Sequence, residues 1–430
     1  MKICVHGIGY IGLATAALFA NNGHDVVGYD PDEELVEELR AGNPRTTEAE
    51  LREYVLDALD AGLEPSTEVV EADCHIVCVP TPYEADSKRA DLSYVEMSGR
   101  TVAEYLREDD MVILESTVPP GTTEEVLAPI LAASELTPGE DFSLAHCPET
   151  VLPGNIAHEL VHNDRIIGGI DDESADKTIA LYESLVEGDI HRAPDATTAE
   201  FVKLSQNAYR DVNIAFANEL ARVANDYGIS SRDAIDLANV HPRVDVLNPG
   251  PGVGGHCLPI DPWFLGQFSD SLDLIATARR VNDGMVDFVV ELLDGELGSL
   301  DDATVAVLGV AYKGNVDDAR HSPGLRLVER LTAAGSREVG AAAADGGQLV
   351  GDVDVRVHDP HVRTDAVDLV DLDTALDGAD AMVVAAGHDA FRDVDPAEAA
   401  DLMDGRVVVD GFSILDADAW RDAGFDYVEI

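Results

Sequence analysis

The opening stretch "KICVHGIGYIGLATAALFANNGHDVVGYD" constrains the fold more than any other part of the chain. An apolar run ends in Gly7, Gly9 and Gly12, spaced G-x-G-x-x-G, and a helix-length apolar segment follows. A second apolar run then ends at Asp30. Strand, tight turn, helix and strand in this order build one unit of a parallel sheet. Because the glycines carry no side chain, a dinucleotide pyrophosphate can approach the helix N-terminus. Asp30, about 20 residues on, is placed to accept hydrogen bonds from the adenosine ribose hydroxyls, which favours NAD over NADP. A merely structural strand–helix turn has no need of that acid in register.

Two more apolar runs, "CHIVCVPTP" at 74–82 and "DMVILESTVPPGTTEEVL" at 110–127, end in Thr- and Pro-rich loops. Ligands of such sheets bind beyond the carboxyl ends of the strands, so Thr81 and Thr117 are expected beside the same cofactor. A long helical pattern follows from "ATTAEFVKLSQNAYRDVNIAFANELARVANDYGI", on which Lys203, Asn207 and Arg210 recur at i, i+4 and i+7 and share one face. A polar stripe is usually solvated surface. This chain, however, has only five lysines, Lys2, Lys88, Lys177, Lys203 and Lys313, so a lysine kept in mid-helix points to function. The last third restarts the α/β pattern with "ATVAVLGVAYKGN", "DVRVHDP", "ADAMVVAAGHDAF" and "GRVVVDGF", and Lys313 sits in its degenerate first turn. "REVGAAAADGGQLVGDVD" at 337–354 reads as a flexible surface insertion. The expected fold class is α/β, with two Rossmann-like doubly wound domains joined by a central helical region. The divisions fall at 1–192, 193–298 and 299–430.

Acidic residues number 84 against 28 basic ones, a formal net charge of −56 spread over every segment. An acid-coated surface suits multimolar salt, where screening shrinks to about 3 Å and self-repulsion is harmless. The expectation is a halophile's protein with neither nucleic acid nor an anionic membrane as partner. No apolar run is long enough to span a bilayer and no leader pattern opens the chain, so the cytoplasm is the expected compartment. The five cysteines, Cys4, Cys74, Cys78, Cys147 and Cys257, contain no paired C-x-x-C set, and no metal site is expected. Cys4, Cys74 and Cys78 lie in apolar runs and read as buried strand residues.

Cys257 is different. In "PGPGVGGHCLPIDPWF", 249–264, six of the first seven residues are Gly or Pro, and the thiol follows a histidine. Such a loop presents a side chain to a ligand, or else is a surface turn that happens to end in a buried cysteine.

With these stretches stand "HCPETVLPG", "NDRIIGG", "YRDVNIAFANELA", "HPRVDVLNPGPGVGGHC" and "VAYKGNVDDARHSP". Together, and in this order over nearly the whole chain, they resemble the nucleotide-sugar 6-dehydrogenases of the UDP-glucose/GDP-mannose dehydrogenase family. The wording of "RDVNIAFANEL" and of the cysteine loop is most similar to the branch acting on UDP-N-acetyl-D-mannosamine. The resemblance implies a four-electron oxidation of the sugar C6 alcohol to a carboxylate with two NAD, through a thiohemiacetal and a thioester on Cys257. It implies that Lys203 stabilises the developing oxyanion or moves its proton, that Asn207 shares that oxygen, and that Asp261 positions or activates water. Glu149 and Thr117 resemble the rest of the proton and water network. On the cofactor side it adds Tyr10, Ile11 and Arg320 to Gly7, Gly9, Gly12, Asp30, Thr81 and Thr117. On the substrate side it adds Thr150, Val151, Arg210, His241 and Arg243, with Arg243 reaching a neighbouring subunit, and also Gly254, Tyr312 and Lys313. The middle helix is the implied dimer interface. Thr150 stands where the related enzymes carry arginine in "PERVLPG", and His321 where an acid is common. Sister activities on UDP-glucose or UDP-N-acetylglucosamine share this machinery. A two-electron hydroxyacid dehydrogenase has no use for Cys257 with Asp261, and a non-catalytic nucleotide-sugar-binding protein has no reason to keep Cys257, Lys203, Asn207 and Asp261 together.

Overall fold

The computed structural model describes residues 1–46, 48–151, 154–269, 271–335 and 353–430. Its contacts separate two units, Met1–Gln206 with Trp263–Ser271, and Asn207–Pro262 with Leu272–Ile430.

The first unit is built on an eight-stranded sheet. Its strands are β1 (Lys2–His6), β2 (Asp25–Tyr29), β3 (Leu63–Ser66), β4 (Cys74–Val77), β7 (Met111–Leu114), β8 (Ser143–His146), β9 (Arg165–Gly169) and β10 (Ile190–Arg192). A two-residue-per-strand hairpin, β5 (Tyr83–Glu84) and β6 (Arg89–Ala90), stands apart from it. The order across the sheet is β10-β9-β8-β7-β4-β1-β2-β3, parallel except where β9 runs against β8. Neighbours diverge between β1 and β4, which makes the crevice beyond their carboxyl ends the ligand position of a doubly wound sheet. Strands β1, β4 and β7 are buried almost throughout, as parallel strands covered on both faces must be.

In the second unit, β11 (Thr304–Leu308), β12 (Asp354–His358), β13 (Ala381–Val384), β14 (Val407–Asp410) and β15 (Asp426–Glu429) form an all-parallel sheet in the order β12-β11-β13-β14-β15. Its first turn is closed by its own side chains. The Asp359 carboxylate accepts the amides of Val310 and Ala311 and faces His388 Nε2 at 3.2 Å. The helix Ala196–Tyr227 covers the pattern read at 196–229.

The second sheet contains β15, which the apolar runs did not single out. Of the stretch read as an insertion, 337–352 lies outside the described residues, and Asp354 already belongs to β12. Cys4 and Cys74 are fully buried in strands, but Cys78 falls one residue past β4 and is only half-buried, because the strand ends where the Pro-rich loop turns out. None of the five cysteines is in a disulfide. Cys4 lies beside His6 and His75, whose rings meet at 3.0 Å. The outer nitrogen of each ring has no hydrogen-bond partner among the described residues, whereas metal-binding imidazoles anchor that atom on an acceptor. Burial holds both rings neutral, and they read as a hydrogen-bonded pair.

Candidate active site

The cofactor crevice is shaped by three glycines with three different jobs. Gly7 adopts φ +87°, a backbone that side chains resist, and a Cβ there would lie 2.6 Å from the Cys78 carbonyl oxygen. At Gly12 a Cβ would fall 1.9 Å from the Gly7 carbonyl oxygen, so the helix could not seat on the turn. Gly9 has nothing within 4 Å of its missing Cβ. It is the N-cap of the helix Tyr10–Asn21, whose first turn has neither a capping side chain nor an acid. Open space above bare amides at a positive helix end is what a pyrophosphate needs. The site therefore fits NAD. Asp30 follows β2 directly, with Oδ2 accepting the Ile8 amide at 3.1 Å. Tyr10 reaches Glu48, and Ile11 is half-buried in the first turn. From the neighbouring strand ends, the Thr81 hydroxyl donates to the Thr117 carbonyl at 2.7 Å, which ties the two Thr/Pro loops together on this crevice.

Still in the first unit, Lys203 donates from Nζ to the Glu149 carbonyl at 2.5 Å. The Glu149 carboxyl is sealed at Oε1 and has no hydrogen-bond partner there among the described residues. Burial raises its pKa to about 7, against the pull of Lys203 and Arg165. A carboxyl poised near neutrality suits proton transfer. Val151 is buried. The Thr150 hydroxyl is likewise sealed and unpartnered among the described residues, beside a cavity also lined by His162, Asn163 and Gln206.

Sequence reasoning missed Glu200, one helical turn before Lys203. Its buried carboxylate accepts the Gly121 amide at 2.5 Å and the amide and hydroxyl of Thr123 at 2.8 and 2.6 Å, pinning the loop that carries Thr117. An acid three residues before the retained lysine was the only available signal. Also missed was the buried cluster in which Glu115 accepts from Thr15 and Tyr182, with the Arg165 cation close by.

In the second unit the cysteine loop lies against the turn that opens the C-terminal sheet. A Cβ on Gly254 would meet the His321 carbonyl oxygen at 2.7 Å and Tyr312 Cβ at 2.9 Å. Gly255, at φ +89°, packs its backbone on the Tyr312 ring and donates its amide to the Arg320 carbonyl at 3.0 Å. Cys257 is exposed. Its carbonyl accepts the amides of Ile260 and Asp261 at 3.0 and 2.8 Å, which starts the single turn Asp261–Phe264. Asp261 is 5% exposed, and its Oδ2 accepts from Asn207 Nδ2 at 2.6 Å. Thiol, carboxylate and amide are thus assembled within one unit. Lys313 is exposed on the same turn as Tyr312. Arg320 is forked onto Asp318 at 2.6 to 3.0 Å. Arg210, His241 and Arg243 are exposed.

Against known families, residues 1–186 match the NAD-binding domain of the UDP-glucose/GDP-mannose dehydrogenase family, 197–284 its central domain and 306–417 its UDP-binding domain. The chain is 42% identical to UDP-N-acetyl-D-mannosamine dehydrogenase of Methanocaldococcus jannaschii, over 99% of this chain and 95% of the relative. Among solved structures, that of UDP-D-ManNAc dehydrogenase from Pyrococcus horikoshii matches with a TM-score of 0.90 at 41% identity, covering 100% of this chain and 99% of that one. The native UDP-N-acetyl-mannosamine dehydrogenase Cap5O from Staphylococcus aureus matches at 0.85 and 35%, covering 100% and 98%.

Proposed function

The chain belongs to the UDP-glucose/GDP-mannose dehydrogenase family, and we propose that it oxidises the C6 hydroxyl of UDP-N-acetyl-D-mannosamine to the carboxylate. It is an NAD-dependent oxidoreductase with a UDP-sugar substrate. The observation that carries the mechanism is the exposed Cys257 thiol, four residues before the buried Asp261 carboxylate that Asn207 holds at 2.6 Å. The choice of sugar is supported by relatives of that activity at about 40% identity over the full chain.

Bound NAD supplies the hydride acceptor for both oxidations, alcohol to aldehyde and thiohemiacetal to thioester. In the first, Lys203 stabilises the developing C6 alkoxide and Glu149 takes up the released proton. The Cys257 thiolate then adds to the aldehyde carbon. A C–S bond forms, the carbonyl π bond opens onto oxygen, and that oxygen takes a proton returned by the Lys203–Glu149 pair. In the second oxidation the thiohemiacetal hydroxyl gives its proton back to the Lys203–Glu149 pair as the thioester C=O forms, and water oriented by Asn207 then adds to the thioester carbon as it gives a proton to the Asp261 carboxylate. The C–S bond breaks, the thiolate leaves, and the sugar acid is released.

The test is NADH formed per limiting sugar in multimolar KCl, with UDP-N-acetyl-D-mannosamine, UDP-N-acetylglucosamine and UDP-glucose in parallel. Two NADH from the first and little from the others is the expected result. Two from UDP-glucose would move the chain to the sister activity, and none from any of them would overturn the reading.

A homodimer completes this proposal. Tyr209, Phe216, Val223 and Tyr227 leave 44–77% of their area exposed at helical spacing on Ala196–Tyr227. A second copy covers that stripe, and Arg243 is the residue proposed to reach across to it.

A further inference from the structure

We infer that Asn218 is a positioning residue for Cys257, holding the start of the cysteine loop from the same helix face that holds its end through Asn207. The inference rests on Cys257 being the nucleophile.

Asn207, Asp211 and Asn218 lie on the helix Ala196–Tyr227. At 100° per residue they fall within about 40° of one another, so they form one stripe. Asn218 Oδ1 accepts the Gly250 amide at 2.9 Å, and Asn207 Nδ2 donates to Asp261 at 2.6 Å. Cys257 sits between these two anchors. Eleven residues of helix separate them by roughly 16 Å, whereas eleven residues of extended loop could span about 36 Å. The loop is therefore bowed, and where it bows depends on where its ends are held.

What fixes Asn218 lies deeper. Its Nδ2 donates to Asn282 Oδ1 at 2.8 Å, and Asn282 Nδ2 donates to Asp211 Oδ1 at 2.8 Å and to the Asp211 carbonyl at 3.0 Å. Arg279 closes the chain on Asp211 at 2.5 Å. Asn218, Asn282 and Asp211 are 0% exposed and Arg279 is 3% exposed. In this arrangement every amide has one orientation: the Arg279 cation commits Asp211 as acceptor, which turns Asn282, which turns Asn218 so that its oxygen faces Gly250. A buried network that leaves a single rotamer is the kind of support that keeps a reacting atom within about 1 Å of its place.

The experiment cuts the Gly250–Asn218 bond from either side. Gly250→Pro removes the donor and leaves the helix intact. Gly250→Ala keeps the donor, and its Cβ would meet nothing closer than 3.6 Å, so it is the control. Asn218→Ser shortens the side chain and withdraws its acceptor from the Gly250 amide. Cys257→Ala is run in the same assay. The first oxidation needs no thiol and the second does. With limiting UDP-N-acetyl-D-mannosamine, Gly250→Pro and Asn218→Ser are expected to drop from two NADH per sugar toward one. Their second oxidation should slow ten- to a hundredfold, with the KM for NAD unchanged. Amide hydrogen exchange across 250–261 should rise in the absence of any ligand. A general loss of folding lowers active enzyme without changing the ratio, so the ratio separates positioning from structure. If Asn218→Ser does not fold, Gly250→Pro decides. Two NADH at the wild-type rate from folded Gly250→Pro would overturn the inference. Two NADH from Cys257→Ala would instead overturn the nucleophile assignment beneath it.

Discussion

Two carboxyls, of half-buried Glu149 and buried Glu200, are each pushed up to about 7, mainly by loss of solvation, but their surroundings differ. Glu200 is surrounded by three donors and works as a clamp, whereas Glu149 has a sealed oxygen with no partner among the described residues and is the proton acceptor of the proposed mechanism. A base must be ionised, so kcat should rise from pH 6 to pH 8 with a midpoint near 7. Glu149→Gln should lower kcat by about 10²- to 10³-fold and abolish that rise, while Glu200 stays in place as the internal control. A pH–rate limb unchanged in the variant would remove Glu149 from the proton network. The same shift bears on stability. Between the ordinary carboxyl range and about 7 the folded state holds a proton that the unfolded chain has released, so stability falls as pH rises through that window and levels off above it. Relative to wild type, Glu149→Gln should melt higher at pH 8 than at pH 5. Neither carboxyl's pKa was legible in the sequence, because burial is a property of the packed neighbours.

At the level of elements, the strand–turn–helix around Gly7, Gly9 and Gly12 was legible because spacing, apolar runs and Asp30 all agree. What the spacing left unsaid is that the glycines are not equivalent. Gly12→Ala would drive a Cβ into the Gly7 carbonyl and should cost both stability and NAD binding. Gly9→Ala meets no atom and should melt within about 0.5 kcal/mol of wild type while weakening NAD binding tenfold or more, as followed by thermal melting and NAD titration. Equal melting losses in both variants would contradict this division of roles. The stripe on Ala196–Tyr227 was legible only in part. Lys203 and Arg210 share an angle, yet Lys203 meets the Glu149 carbonyl and Arg210 is exposed. Seven residues move a side chain about 10 Å along the axis, past whatever covers the first one. Asp211 and Asn218, on the same stripe, gave no signal, since a buried amide and a solvated one look alike in a sequence. The reversal of β9 against β8 and the strand β15 were not read either, since short apolar runs carry no direction.

For the whole molecule the dominant number is the net charge of −56. At 0.1 M salt the screening length is about 10 Å, and repulsion between neighbouring acids acts across the surface; at 1 M it is about 3 Å and they scarcely interact. Thermal melting should therefore fall by roughly ten degrees or more between 3 M and 0.1 M KCl, with Cys257 variants falling in parallel. Melting independent of salt would show that the acids serve another purpose.

The sequence alone determined two α/β sheets, the NAD crevice and which thiol to propose as the nucleophile. Each of these rests on local pattern: apolar periodicity, glycine spacing and a Gly/Pro loop that admits few paths. Tertiary structure alone decided which polar side chains are buried as clamps and which carboxyls have their pKa raised. Glu200, Asn218 and Asp211 carry the same side chains as dozens of solvated residues in this acidic chain, and only exclusion of water with fixed donors around them turns a surface group into a structural one.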